Sequence, residues 1–395
     1  MNTRNWNNRL LVIMAFSIML IFGMFMGGIR AQVNPLIQLD YGITFSQLGI
    51  LMGIFSGGGI LTTFFAGNLI IKYGLKKILR FNLILGIVFA ILVGLSNTYF
   101  ILQIVMFFLG IAFGGYNISA NTLASEIFVK NRGKMMNLFH LFFGFGGTIA
   151  PLYANYIFSL GFEWEQTYVF GAVLFVMLFG ISLLCKFPEP KIVDKKEQKS
   201  TMEVLKDKKV IFFLIMIFVL VASELGVITW IGVFLKNVQG RTNKEIGLYT
   251  SLFFIFFSGG RFLASFIVEK IGYTKILKIT ITMAIISFTI GVFGPNYCAF
   301  FLSLTGLFLS LNFPTVQAIT YETFTENLSI IIGLELTVGS IGDILLANWL
   351  IGVITDMAGL RIGFGLIICY MVILLICLLI LDKKIKQSKL QKEGK

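Results

Sequence analysis

Carboxylates set inside long apolar stretches are the first residues in this sequence with chemistry to offer. Of nineteen Asp and Glu residues, three stand well inside such stretches: Glu224, Glu335 and Asp343. A charge at a bilayer centre costs roughly 2.5–3.5 kcal/mol on insertion scales, so each needs a partner or a use. A carboxyl withdrawn from water favours its neutral form, which suits reversible protonation and hydrogen bonding to a polar solute. Glu224 is therefore expected to bind substrate or carry a proton. Trp230, six residues on, offers an apolar face to a ring. The plain alternative for Glu224 is a fixed ion pair with Arg261. That arginine shares a polar stripe with Ser258 and Ser265, spaced i, i+3, i+7 on one helix face. Asp343, beside Gly339 and Gly342, is expected to couple an ion. Glu335 lies nearer one end of its stretch, where a gate or brace is as good a reading as coupling. Arg30 either joins the coupling groups or extends its head to the interface.

Amides form a second set. Asn117, Asn121 and Ser125 repeat at i, i+4, i+8, which lines one helix face with groups suited to sugar hydroxyls or to hydrogen bonds between helices. Asn312 and Gln317 are further candidates of the same kind. His140, the only histidine, opens a stripe with Gly144, Gly147, Pro151 and Asn155 and has no Cys or carboxylate cluster around it. A lone imidazole does not make a metal centre, so no metal and no cofactor are expected. The chain has no G-x-x-x-x-G-K-[ST], G-x-S-x-G or H-E-x-x-H motif, and no enzyme is expected.

The elements that must position these groups follow from composition. Of 395 residues, 57% are hydrophobic and 13% charged, with 42 Phe and 41 Gly; a soluble domain is roughly 45–50% apolar and ~25% charged. Apolar runs fall near 10–31, 45–71, 78–96, 99–125, 135–159, 167–185, 210–235, 246–268, 276–294, 298–321, 331–355 and 363–381. Runs of about 20 residues are too long for barrel strands, and lipid-exposed backbone must satisfy its own hydrogen bonds, so helices are expected. The fold class is all-α: twelve transmembrane helices in two pseudo-symmetric six-helix bundles. Residues 1–187 form the first bundle, 188–209 a linker, 210–382 the second bundle and 383–395 a basic tail. The first run follows Arg4 and Arg9 and ends in no small-residue cleavage site, so it reads as a span. The four cysteines lie in or beside apolar runs with no C-x-x-C, and disulfides are not expected.

The net charge of +13 is arranged as a topology signal and not as a nucleic-acid surface. Under this layout 26 Lys and Arg fall on the side that holds both termini and the linker, against four on the other. That basic side is expected to be the cytoplasm, in a multi-pass protein of the cell membrane.

The halves repeat. At an offset of 198, Gly49/Gly247, Lys72/Lys270, Gly74/Gly272, Lys77/Lys275, Ile78/Ile276 and Leu79/Leu277 coincide. The loop after span two reads Gly67 to Lys77 with Lys72, Gly74 and Lys76, and its partner runs from Ser265 to Lys275 with Glu269, Lys270 and Gly272. This resembles the signature of the major facilitator superfamily: glycine, an acid four residues on, then basic, x, Gly, x, basic. Ile71 stands in the acid's place in the first half; the second half keeps the acid at Glu269 and loses the first glycine. The resemblance implies two bundles rocking about a midplane site, with Lys72, Gly74, Lys77, Glu269, Lys270 and Gly272 in gating loops. Within that family, Gly115 to Asn121, Leu220 to Glu224 and Gly260-Arg261 are similar to segments of the fucose/glucose–proton symporter branch, with Asn117 where that branch has a carboxylate.

The expectation is a secondary active transporter of a small polar solute, a sugar first, coupled to a proton or other ion, with lipid as its other partner, acting as a monomer. An exporter of drugs or metabolites is the alternative within the family, and a non-transporting membrane sensor is the alternative outside it.

Overall fold

The computed structural model describes residues 3–128, 132–188, 201–324 and 326–393. Most of the linker expected at 188–209 lies outside these residues, and so do the side chains of the basic tail from residue 384 on.

The described residues fold as twelve long helices. In the first half, α1 runs Thr3–Gly23, widens into a π-helical turn at Met24–Ile29 and continues as Arg30–Asp40. It is followed by α2 (Phe45–Tyr73), α3 (Leu75–Val93), α4 (Tyr99–Ile127), α5 (Arg132–Ser159) and α6 (Glu165–Leu184). A single turn at Thr201–Val204 leads to the second half, which begins with α7 (Lys208–Asn237), α8 (Asn243–Ile271) and α9 (Tyr273–Phe293). Next come α10 (Ala299–Leu309 continued as Asn312–Thr323) and α11, which is Leu328–Gly342, a π-helical turn Asp343–Leu350 and then Ile351–Ala358. Helix α12 spans Leu360–Glu393. Eleven helices among the described residues are long and apolar enough to cross a membrane. The remaining one, α3, opens on Lys76, Lys77 and Arg80, and Arg80 donates to the Ser182 hydroxyl and carbonyl at the end of α6.

Local sequence sets the ends of these helices, and it sets them twice. Thr44 and Thr242 each cap a helix through a capping box, with Gln47 and Glu245 returning the bond to the cap's own N–H. Gly74 and Gly272 each end that helix at φ +85° and +91° with ψ near 147° and 140°, a region essentially reserved for glycine. The next helix starts at the following residue in both halves. Thus α2 and α8 share both boundaries at the 198-residue offset that the sequence repeat shows.

Aromatic side chains fill the first half: Phe25, Phe113, Tyr116, Tyr168 and Phe175 stack with ring centroids 5.0–5.8 Å apart. Packing between helices uses part of the Phe content, while others such as Phe64, Phe81 and Phe100 are exposed on helix surfaces.

The two halves meet along α1–α7, α2–α11 and α5–α8. Small residues set the approach. A Cβ on Gly49 or Gly352 has no room against α11 or α2 backbone, and one on Gly232 has none against the Ala31 carbonyl of α1. On the α5–α8 seam, Gly144 abuts the Ser258 hydroxyl, Gly147 abuts Phe254 and Gly247 abuts Asn155. The stripe opened by His140 is therefore the face that α5 turns to the other half.

Candidate functional site

The hydrogen bonds that join the halves gather toward the ends of the helices opposite the termini, here the far side. At the rim, the Asp356 carboxylate of α11 accepts from the backbone N–H groups of Phe45 and Ser46 at 2.9 and 2.8 Å, and from the Ser46 hydroxyl. An anion thus sits on the N-terminus of α2, where the helix dipole and unpaired N–H groups favour it. One layer inward, the Gln32 amide donates to the Asn243 carbonyl at 2.8 Å and to Asn155 at 3.2 Å. Asn34 donates to the Thr229 carbonyl at 2.9 Å. On the other seam, Ser251 donates to the Thr148 carbonyl.

Deeper still is a buried charged network. Arg30 is 2% exposed and Asp343 3%. One guanidinium nitrogen of Arg30 donates to the Thr229 hydroxyl and to Asn348 Oδ1, both at 2.7 Å. The Asn348 amide nitrogen donates in turn to the carboxylate and to the carbonyl of Asp343, both at 2.9 Å. Arg30 does not extend to an interface; it is locked between α7 and α11 of the other half, because lipid-depth burial rewards every donor that finds an acceptor. Sequence reasoning named Arg30 and Asp343 but missed Thr229, Asn348, Gln32 and Asp356. The signal for Asn348 is a polar residue amid the apolar run of α11, and spacing alone gives it no partner.

Trp230 belongs to the same layer. It is fully buried, donates to the Ala347 carbonyl at 2.7 Å and lies 6.4 Å from the Phe45 ring. In this conformation it is part of the far-side seal and not a free apolar face.

Toward the basic side the polar residues become partly exposed. Glu224 of α7 and Arg261 of α8 approach to 3.8 Å, with side chains 14% and 24% exposed. Arg261 is held from behind: its Nε donates to the Ser310 carbonyl at 3.1 Å and its guanidinium lies 4.4 Å from the Phe257 ring centroid. The expected pairing of Glu224 with Arg261 is present, but as a loose contact with room for a third group. Asn117 and Arg261 lie at matching depth, each ten residues from the basic-side end of its helix (127 − 117 and 271 − 261). Asn117 and Asn121 bond to each other along α4 at 2.8 Å, and both remain partly exposed. The Asn121 amide nitrogen donates to both the side-chain and the backbone oxygen of Asn117, so this bond runs along one helix and not between helices. His140 is partly exposed, with its ring edge-on to Phe139.

The other candidates lie elsewhere. Asn312 is 1% exposed and accepts from Thr280 at 2.9 Å, between α9 and α10. Gln317 is half-buried on α10. Glu335 is buried and accepts from Thr320 at 2.6 Å, bracing α11 against α10. Lys72, Lys77, Glu269 and Lys270 are exposed around the paired glycine joints Gly74 and Gly272.

Comparison with known proteins gives one consistent answer. A family model described as Major Facilitator Superfamily matches residues 11–244 and again 240–395. The chain is 24% identical over 347 residues to a Protein TsgA homolog of Citrobacter koseri, covering 86% of this chain and 85% of that one. Its fold is similar to that of a nucleoside transporter, NupG, with TM-score 0.80, 13% identity and coverage of 94% and 98%. It is also similar to the E. coli fucose:proton symporter, FucP, with TM-score 0.64, 15% identity and coverage of 94% and 98%. The chain belongs to the Major Facilitator Superfamily and is a multi-pass membrane transporter.

Proposed function

We propose that the protein is a secondary active transporter that takes up a small polyhydroxylated solute, a sugar first, by alternating access with a coupled proton or other ion. The observation that carries this is the Glu224–Arg261 pair: a carboxylate and a guanidinium 3.8 Å apart, partly exposed at mid-helix beneath a sealed far side. A hydroxyl that donates to Glu224 and accepts from Arg261 completes both groups. Asn117 and Asn121 supply amide capacity from the other half. Protonation of the carboxylate releases Arg261 from its partner and frees its donors for the solute, so proton and solute bind together.

The same reading assigns Asp343 and Arg30 to the element that alternates, and places the basic side in the cytoplasm of a cell-membrane protein with both termini inside. The first bundle is then 1–187, the linker 188–209, the second bundle 210–382 and the tail 383–395. Trp230 and Gln317 stand as substrate contacts for the conformation with the far side open. Nucleosides are the second substrate class, favoured by the higher TM-score to the nucleoside transporter. A ribose presents the same hydroxyl chemistry.

The test is uptake of radiolabelled hexoses, deoxyhexoses and nucleosides into proteoliposomes, with and without an inward proton gradient, for wild type and Glu224→Gln. Gradient-stimulated uptake that is lost in the variant supports the reading. Uptake indifferent to both gradient and substitution makes the protein a facilitator and Glu224 a structural group. No uptake of any of these solutes moves the assignment to export.

A further inference from the structure

Asn348 is buried where the halves meet, and its carboxamide is used at both ends. The oxygen accepts from Arg30 of the first half at 2.7 Å and from Thr229 at 3.1 Å. The nitrogen donates to the Asp343 carboxylate at 2.9 Å. No direct bridge joins Arg30 to Asp343 among the described residues, so the amide alone connects cation to anion. The carboxamide of Asn or Gln offers an acceptor and a donor on one short planar group. An aspartate in its place has nothing to donate to Asp343, and an aliphatic residue leaves a buried guanidinium and a buried carboxylate each short of a partner.

The backbone is shaped to seat this group. Residues five apart on an α-helix point roughly 140° away from each other. The i→i+5 closure of a π-helical turn brings them onto one face. Asp343 and Asn348 are five apart and open and nearly close such a turn, Asp343–Leu350. A second π-helical turn, Met24–Ile29, ends directly before Arg30. Each half thus carries one wide turn, and both adjoin this network. From the opposite side, Gly49 of α2 leaves no space for a Cβ above the Asn348 carbonyl, so the halves are in backbone contact at this residue. The network is also incomplete: Arg30 Nε is buried without a partner. A buried donor left unpaired is unfavourable, so the closed arrangement is not locked by full satisfaction.

From these observations we infer that Asn348 is a positioning residue of the transport cycle: it ties Arg30 to Asp343 across the halves and so holds the far side shut. The inference rests on the alternating-access reading above but not on the substrate being a sugar.

The experiment measures distance, not uptake. Full-length protein with its four cysteines replaced carries spin labels at Leu95 and Tyr297, exposed far-side positions of the first and second halves. In lipid nanodiscs the wild type is expected to show a dominant short distance. Asn348→Ala and Asn348→Ser, neither of which spans the gap, are expected to raise the long-distance population roughly fivefold or more, the low end of ordinary coupling between linked sites. Asn348→Gln, which keeps both ends of the amide, is expected to restore part of the short distance. Thr229→Val removes one cross-half bond and is expected to give a smaller shift than Asn348→Ala, since the bridge from Arg30 to Asp343 survives. If Asn348→Ala does not fold, Asn348→Ser decides. Wild-type distances in the Ala or Ser variant overturn the inference, as does an equal shift in Thr229→Val. Absence of sugar or nucleoside uptake by the wild type refutes the substrate reading alone and leaves these distances to judge Asn348.

Discussion

Glu224, Asp343 and Glu335 are all carboxylates in apolar helices, yet they sit in three different settings. Glu335 is capped by Thr320 within one half, Asp343 is tied through Asn348 to the other half, and Glu224 faces a loosely held arginine with partial exposure. Only the last is open to exchange from the basic side. Arg261→Lys is expected to retain charge but lose the fixed geometry that Ser310 and Phe257 give the guanidinium. Solute affinity measured by direct binding should then fall while folding is kept. Wild-type affinity in that variant would remove Arg261 from the site. Glu335→Gln keeps the hydrogen bond from Thr320 and is expected to leave gradient-driven uptake intact, which separates bracing from coupling.

Elements carry the second set of constraints. The capping boxes at Thr44 and Thr242 and the glycine joints at Gly74 and Gly272 give α2 and α8 the same ends. Thr242→Ala removes one cap and should cost about 0.5–2 kcal/mol, read as a lower melting temperature in detergent. Contact between elements across the halves depends on glycine where backbones touch. Gly232→Val places a side chain against the Ala31 carbonyl, and overpacking of this kind costs about 1–3 kcal/mol. Because that contact joins the halves where the far side is closed, the strain should favour the open arrangement. Reagent access to a cysteine placed at Gln32 should rise in the variant. Unchanged access would mean that the helices yield locally and do not part.

For the whole molecule, the far-side rim is asymmetric. On the α2–α11 seam a carboxylate, Asp356, caps the first turn of α2, while α8 is met by the neutral amides Gln32 and Asn155. An exposed anion at a helix N-terminus is worth about 0.3–1 kcal/mol. Asp356→Asn should therefore shift the conformational balance toward the open far side by a factor of about two to five, less at high salt. Spin-label distances report this shift, and a distribution equal to wild type at low salt would refute the latch. The charge of the chain makes a separate claim about the molecule in its membrane. A reporter fused after residue 395 should be active only in its cytoplasmic form; activity of an external reporter would reverse the orientation. The twelve-helix plan, the twofold repeat and the buried charges were legible in the sequence because hydropathy, an offset of 198 and intramembrane cost are properties of residues along a line. Partners were not. Asn348 is one more amide until a π-helical turn sets it over Asp343, and Trp230 has the same sequence context whether it faces a cavity or a seal. Asp356 reads as a helix-end acid until α2 arrives beneath it. Contacts between residues more than 300 positions apart are fixed by how two bundles dock, and that docking is decided by the summed shape of both surfaces, which no local pattern contains.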